Sequence, residues 1–419
     1  MSLEPFITQW LGPDLPIRIE AFDGTVVGPE DAKTIVTVHS PDAMIRLVTA
    51  PGELGLGRAY VAGDISIDGD IYGLFDLRQR MPEVKLSLRQ LASLVRTVGV
   101  RNLRRIPPPP EEHRPGGRLH TRRRDASAIS HHYDISNDFY RMVLGSSLTY
   151  SCAVFDDPSD TLEQAQENKY ELICRKLDLR PGMRLLDIGC GWGGMVLHAA
   201  RHHGVEAVGV TISQPQVDLA RKRIAAAGLT DKIEVRYQDY RDIDDGPYDA
   251  ISSIGMFEHV GMRRLEQYFA NVIDLLAPGG RLLNHAISRT DNARPPLHAK
   301  PSFSSRYVFP DGQLHEVGTV ITSLQDAGLE VRHMENLREH YALTLRRWVA
   351  NLEANWDAAV REVGEGRARV WRLYMVASAI LFEEHRAHID QVLAVKLGET
   401  GRSQFALRPD WEPDRAPAP

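Results

Sequence analysis

The run Asp187-Ile188-Gly189-Cys190-Gly191-Trp192-Gly193-Gly194 is the stretch of this 419-residue chain best suited to hold a reactive ligand. Met183, Leu185, Leu186 and Ile188 lead into it as a buried strand, and residues 195–200 leave it as the start of a helix. Strand, glycine-rich turn and helix, in that order, aim backbone N–H groups at a ligand. A diphosphate site shows Gly-x-Gly-x-x-Gly, whereas this run reads Asp-x-Gly-x-Gly-x-Gly-Gly. An acid ahead of the glycines suits a cationic, amino-acid-like ligand. S-adenosylmethionine, positive at its amine and its sulfonium, has that character. Asp187 reads as an orienter of the turn and of the ligand's amine, not as an acid.

The elements around the turn must place it at the edge of a sheet. Residues 207–211, 233–237, 248–254 and 281–287 read as further strands, with helices over 216–227 and 265–276, the latter stopped by Pro278-Gly279-Gly280. Alternating strands and helices give a parallel sheet covered on both faces, with ligands beyond the carboxyl ends of the strands. Gly189, Thr211, residues 238–240 and 255–258, and His285 fall at those ends. Residues 161–177 read as a helix opened by a Thr161/Gln164 capping box, with Ala165, Leu172, Ile173 and Leu177 on its apolar face. Residues 337–397 read as mostly helical. The fold class expected is α/β, doubly wound, with a smaller N-terminal α+β domain.

That domain, short strands and a helix between residues 17 and 76, carries no cluster of His, Cys or paired acids. Residues 85–106 follow as a basic amphipathic helix with Leu88, Leu91, Leu94, Val95 and Val98 on one face. Eleven Lys and Arg stand against two Glu between residues 85 and 124, although the whole chain is −6. Such a block faces water or an anion, and an anionic membrane surface fits. Nucleic acid is not expected, because no aromatic stacking pattern accompanies the arginines. The domain boundaries read as 1–106, a linker over 107–124, a catalytic domain over 125–400 and a disordered tail over 401–419. No run of about 18 uncharged apolar residues appears, and the N-terminus does not read as a signal peptide. Cys152, Cys174 and Cys190 are too few for a disulfide scaffold and lack zinc spacing, so no metal is expected and a cytoplasmic location is.

Further motifs carry a resemblance. Tyr150-Ser151-Cys152-Ala153, the glycine turn, Gly209-Val210-Thr211-Ile212-Ser213 with Gln216, Gly255-Met256-Phe257-Glu258-His259-Val260-Gly261, His285-Ala286-Ile287, Phe309-Pro310-Asp311-Gly312 and residues 340–345 before Trp348 occur in this order. Together they resemble the cyclopropane fatty acid synthases and mycolic acid cyclopropane synthases, over roughly residues 130–356. The resemblance implies a class I, Rossmann-like methyltransferase domain that uses S-adenosylmethionine on the cis double bond of a phospholipid acyl chain, closing a cyclopropane. It implies bicarbonate as the base, held by Cys152, Glu258, His285, Ile287 and Tyr341. It implies cofactor contacts from Tyr150, Ser151, Gly189, Gly191, Thr211, Gln216, Gln238 and Tyr240, beside Asp187. It also implies a homodimer whose N-terminal domain presents phospholipid, peripheral on the inner membrane face.

Asp311 stands where relatives commonly carry glycine, and residues 289–306 match poorly, so substrate choice is the least determined property. Tyr150, Phe257 and Tyr341 are candidates to stabilise a carbocation. The same first step followed by a hydride shift gives a mid-chain methylene or, with a reductase partner, a methyl branch. A small-amine N-methyltransferase and a non-catalytic lipid-binding protein are further readings of the same fold.

Overall fold

The computed structural model describes residues 3–12, 14–50, 52–75, 106–113, 135–291, 302–309 and 312–411. It divides into two compact units, one of Met1–Arg114, Pro296–Pro310 and Leu352–Ile380, the other of Pro115–Pro295, Asp311–Asn351 and Leu381–Pro419. The contiguous domain expected over 125–400 is therefore interrupted, because two of its segments are built into the first unit. Gly57 shows why. A Cβ there would lie 2.3 Å from the ring of Phe303, so the glycine makes room for that ring against its helix. Arg372 likewise reaches the Tyr60 hydroxyl and the Ile67 carbonyl at 3.3 and 3.2 Å.

In the first unit β1 (Arg18–Ala21), β2 (Val26–Val27), β3 (Thr34–Val38) and β4 (Ile65–Gly69) form a sheet in the order β2-β1-β3-β4. Helices Asp42–Thr49 and Glu53–Val61 complete the expected α+β module. Residues 107–113, assigned above to a linker, are part of this unit. Arg58 holds the Glu112 carboxylate through two bonds of 2.6 and 2.8 Å, and Arg46 donates to the Pro107 carbonyl. The basic amphipathic helix and most of the basic block lie outside the described residues.

The second unit is built on β5 (Arg184–Ile188), β6 (Glu206–Thr211), β7 (Ile233–Tyr237), β8 (Tyr248–Ile254), β9 (Leu276–Arg289), β10 (His315–Glu316), β11 (Glu330–Asn336) and β12 (Ala387–Val395). Their order is β11-β12-β9-β8-β5-β6-β7, with β10 beside β9. β5 through β9 run parallel, while β12 is antiparallel to both β9 and β11. The strand order reverses between β5 and β8, the kind of switch point where open α/β sheets bind ligands. Two expectations are corrected here. Residues 387–395 are a strand, not helix; packed on both faces, they show no alternation to mark them. Pro278-Gly279-Gly280 does not end an element but lies within β9, beside a register break opposite Tyr248 and Ala250. The tail is also shorter than expected. Phe405 and Trp411 pack on the sheet's core, and the Arg281 guanidinium lies 4.0 Å over the Phe405 ring.

The helix Leu162–Leu177 has the capping box read from the sequence, with Gln164 N donating to Thr161 Oγ1 at 3.2 Å and Thr161 N to Gln164 Oε1 at 3.0 Å. Thr161→Ala removes the Oγ1 acceptor of the Gln164 N–H and leaves that helix-terminal group without its partner. It should lower unfolding free energy by about 1 kcal/mol, measured by urea titration. Among the described residues no helix is long and apolar enough to cross a membrane.

Candidate active site

A cavity opens at the carboxyl ends of β5, β6, β7 and β8, and all nine residues expected to contact a cofactor line it. Gly189 and Gly191 turn with φ of +81° and +53°, in the left-handed region that glycine enters without strain. At Gly189 there is a second reason for glycine: a Cβ would stand 3.0 Å from the Cβ of Met256. Asp187, almost fully buried at the end of β5, accepts from Ser252 Oγ at 2.7 Å. Burial raises its carboxyl to about 6 despite that bond and the nearby Lys169 ammonium. A cation arriving in the cavity would favour the ionised form. On the next strand Thr211 Oγ1 and Gln216 Oε1 are 2.7 Å apart and buried. Gln238 donates to the Asp242 carbonyl, and Tyr240 stands edge-on to Tyr268. A sulfonium nucleoside with an amino-acid tail suits this donor set.

The other five candidates do not line that cavity but form a linked group beside it. Glu258 Oε1 accepts from the Ile287 N–H at 2.8 Å, tying the Phe257–His259 turn to β9. His285 lies two residues earlier on β9, and its carbonyl accepts from Gly255 N at 2.8 Å. Ile287 pairs with Ile389 of β12, and the Ile389 carbonyl accepts from Leu337 N at 2.8 Å. The Leu337 carbonyl accepts from Tyr341 N at 3.1 Å and from the Cys152 thiol at 3.8 Å. Cys152 directly follows Ser151 of the cavity wall. Burial holds its thiol far above the ordinary range, so it is not a nucleophile.

Within this group two buried polar atoms, Glu258 Oε2 and His285 Nε2, have no hydrogen-bond partner among the described residues. Burial pushes the Glu258 carboxyl up to about 7 against the lowering effect of the Ile287 N–H, and pushes the His285 imidazolium far down. A free acceptor and a neutral imidazole are suited to hydrogen-bond a small polar guest. An aromatic wall adjoins it. Trp348 lies 5.3 Å from Tyr150 and 5.9 Å from Tyr341, and Tyr341 lies 4.7 Å from Phe382. Phe257, expected to face a carbocation, is instead enclosed by Tyr268, Phe269 and His315.

Comparison with known proteins decides the family. The family model of mycolic acid cyclopropane synthetase matches residues 120–392. The chain is 48% identical to a Mycobacterium tuberculosis protein named "Probable fatty acid methyltransferase", over 95% of each chain. It is 34% identical to the cyclopropane-fatty-acyl-phospholipid synthase of Escherichia coli K12, covering 87% of this chain and 89% of that one. A solved mycolic acid cyclopropane synthase, CmaA1, complexed with SAH and CTAB, superposes with a TM-score of 0.61 at 32% identity, over 65% of this chain and 98% of that one. The chain belongs to the mycolic acid cyclopropane synthetase family.

In this family member the sequence reading missed a layer of polar residues behind the site. Lys169, fully buried, donates to Ser151 Oγ at 2.9 Å, and Gln166 Nε2 donates to the Ser151 carbonyl at 3.0 Å. Both rise from the buried face of Leu162–Leu177, and burial lowers the Lys169 ammonium to about 7. A Lys and a Gln set among Ala165 and Ile173 were the available signal. His259 also lines the cavity. The fold also gathers the ligand atoms of Cys174, His198 and His203 within 4.8 Å, a cluster sequence spacing did not reveal. Glu171 already bridges both of these histidines, at 3.2 and 3.0 Å, and pairs with Arg175. That makes the cluster a hydrogen-bonded network around Glu171, in which burial lowers His198 to about 4 and keeps it neutral.

Proposed function

We propose that the protein transfers the methyl group of S-adenosylmethionine to the cis double bond of a phospholipid acyl chain and closes a cyclopropane. The observation that carries the reading is the pair of buried, unpartnered atoms on Glu258 and His285, set beside an aromatic wall and next to the cavity that the nine expected cofactor contacts line. S-adenosylmethionine supplies an electrophilic methyl, and bicarbonate supplies a weak base suited to a buried site.

The residues answer the demands of that chemistry in turn. An alkene is a feeble nucleophile, so methyl and double bond must be held in line with water excluded. Asp187, the turn at Gly189 and Gly191, and Ser151 backed by Lys169 fix the donor. Transfer leaves a cation on the acyl chain, and the faces of Tyr150 and Tyr341, braced by Trp348, stabilise it. Glu258 Oε2 would accept from the hydroxyl of a carbonate-type base, while its Oε1 stays pinned by the Ile287 N–H. The proton lost from the transferred methyl leaves its electron pair to form the third side of the ring. The basic stretch between residues 85 and 124 suits contact with anionic headgroups.

Gas chromatography with mass spectrometry of lipids from an expressing host tests the proposal. We expect acyl chains 14 mass units heavier, whose new unit behaves on hydrogenation as a ring. A reducible methylene, or a saturated methyl branch, would show that the methyl transfer stands but the ring closure does not. Unaltered lipids from a host that makes the folded protein would overturn both.

A further inference from the structure

His285 has a partner on Nδ1 and none on Nε2, and the chemistry of that partner decides what the ring can do. Across the antiparallel register of β9 and β12, His285 faces Gln391, whose Nε2 is 3.2 Å from His285 Nδ1. The other end of the amide, Gln391 Oε1, accepts from Lys176 Nζ at 2.7 Å. An ammonium has donors and no lone pair, so the amide must turn its oxygen to Lys176. Its NH₂ then points at His285, and Nδ1 has to accept. Lys176 is held in place from its far side by Glu335. Lys176 is 1% exposed and Gln391 and His285 are 0% exposed, so bulk solvent does not compete for these groups. The ring is also uncharged: burial first, then the Lys169 and Lys176 ammonium groups, keep it from taking a second proton. A neutral imidazole that accepts at Nδ1 carries its hydrogen on Nε2.

We propose that Lys176 and Gln391 are positioning residues that lock His285 as the Nε2–H tautomer, making the ring a fixed hydrogen-bond donor to the anion of the site and removing it as a base. Which anion it meets rests on the bicarbonate reading above; the tautomer does not. The lock gives the unpartnered Nε2 and Glu258 Oε2 opposite senses. One donates and one accepts, which matches an oxyacid anion with a single hydroxyl. It also leaves the proton of the transferred methyl no acceptor on this ring, which agrees with the anion as the base.

The test uses the full chain labelled with ¹⁵N-histidine, with the His285 signal assigned by its loss in His285→Gln. We expect a protonated Nε2 and a bare Nδ1 from pH 6 to 8. Gln391→Glu places a carboxylate opposite Nδ1, so the proton should move to Nδ1 and Nε2 should become an acceptor facing an anion. Turnover should then fall about 100-fold, as when an oxyanion donor is removed, with KM for S-adenosylmethionine unchanged. Lys176→Met frees the amide to rotate and should give both tautomers, while Lys176→Arg should keep the native one. A protonated Nδ1 or a doubly protonated ring in the native protein overturns the proposal, as does native turnover in a folded Gln391→Glu. A native enzyme that keeps full activity in bicarbonate-free buffer would instead overturn the bicarbonate reading and leave the tautomer standing.

Discussion

Replacing Glu258 by Gln should cut turnover by on the order of 10²–10⁴ and leave S-adenosylmethionine affinity intact, while making the protein more stable above neutral pH. The two halves have one cause. The Gln oxygen can still accept from the Ile287 N–H, now at 2.8 Å from Glu258 Oε1. Its other end becomes an NH₂, a donor where the site needs an acceptor, so the hydroxyl of the base loses its partner. The native carboxyl is held near 7 by burial, above its unfolded value of 4.5. A carboxyl raised in this way contributes its stability fully below pH 4.5 and loses it as pH climbs towards 7. Glutamine does not titrate, so the variant should overtake the native protein across that window. At about 1.4 kcal/mol per pH unit, the gap reaches roughly 3 kcal/mol above pH 7. Urea titrations at pH 5 and pH 8, beside single-turnover assays, check this. Loss of stability together with activity at pH 8 would mean the side chain serves packing and not chemistry.

Gly189→Ala should have the opposite signature, with cofactor affinity lost first. The residue sits at φ +81°, where a side chain costs about 1–2 kcal/mol. The new Cβ would in addition meet the Met256 Cβ at 3.0 Å, tighter than ordinary contact. Relief comes from shifting the turn, which carries the N–H groups and Asp187 that shape the cavity. A displacement costing 1.4–2.8 kcal/mol of binding weakens affinity roughly 10- to 100-fold. Calorimetric titration with S-adenosylhomocysteine measures it directly. Saturating cofactor should then restore most of the turnover, because the linked group around Glu258 is untouched. Native affinity in the variant would show that the turn does not contact the ligand.

Local signals carried far in this chain because the site is built at strand ends. Leu185 to Gly194 and Thr211 could be placed by strand periodicity and glycine alone, and Gly189 and Thr211 fall where their strands end, whereas His285 lies inside β9, four residues before Arg289 closes it. The capping box at Thr161 was equally plain, since its two partners are three residues apart. What escaped the reading depends on contacts distant in sequence. β12 is buried on both faces between two antiparallel neighbours, so it lacks the alternation that marks a half-buried strand. Gln391 acquires meaning only opposite His285, 106 residues away. Lys169 and Gln166 look like a solvated stripe until the Tyr150–Ser151 segment closes over them. Phe405 and Trp411 sit in a Pro- and Arg-rich terminus whose composition resembles an unstructured tail, and two rings on the core outweigh it.

The first unit's composition from three separated segments has a consequence for how the protein is made. Its sheet is encoded before residue 70, but two of its pieces, Pro296–Pro310 and Leu352–Ile380, are encoded near the far end of the gene. At about 5–20 residues per second, a ribosome needs roughly 10–50 s to travel from residue 114 to residue 380. The nascent first unit lacks Phe303 for most of that interval, and until near its end it lacks Arg372 and also Arg369, which donates to the Tyr60 carbonyl at 2.9 Å, so its apolar surface must wait uncovered or be shielded by a chaperone.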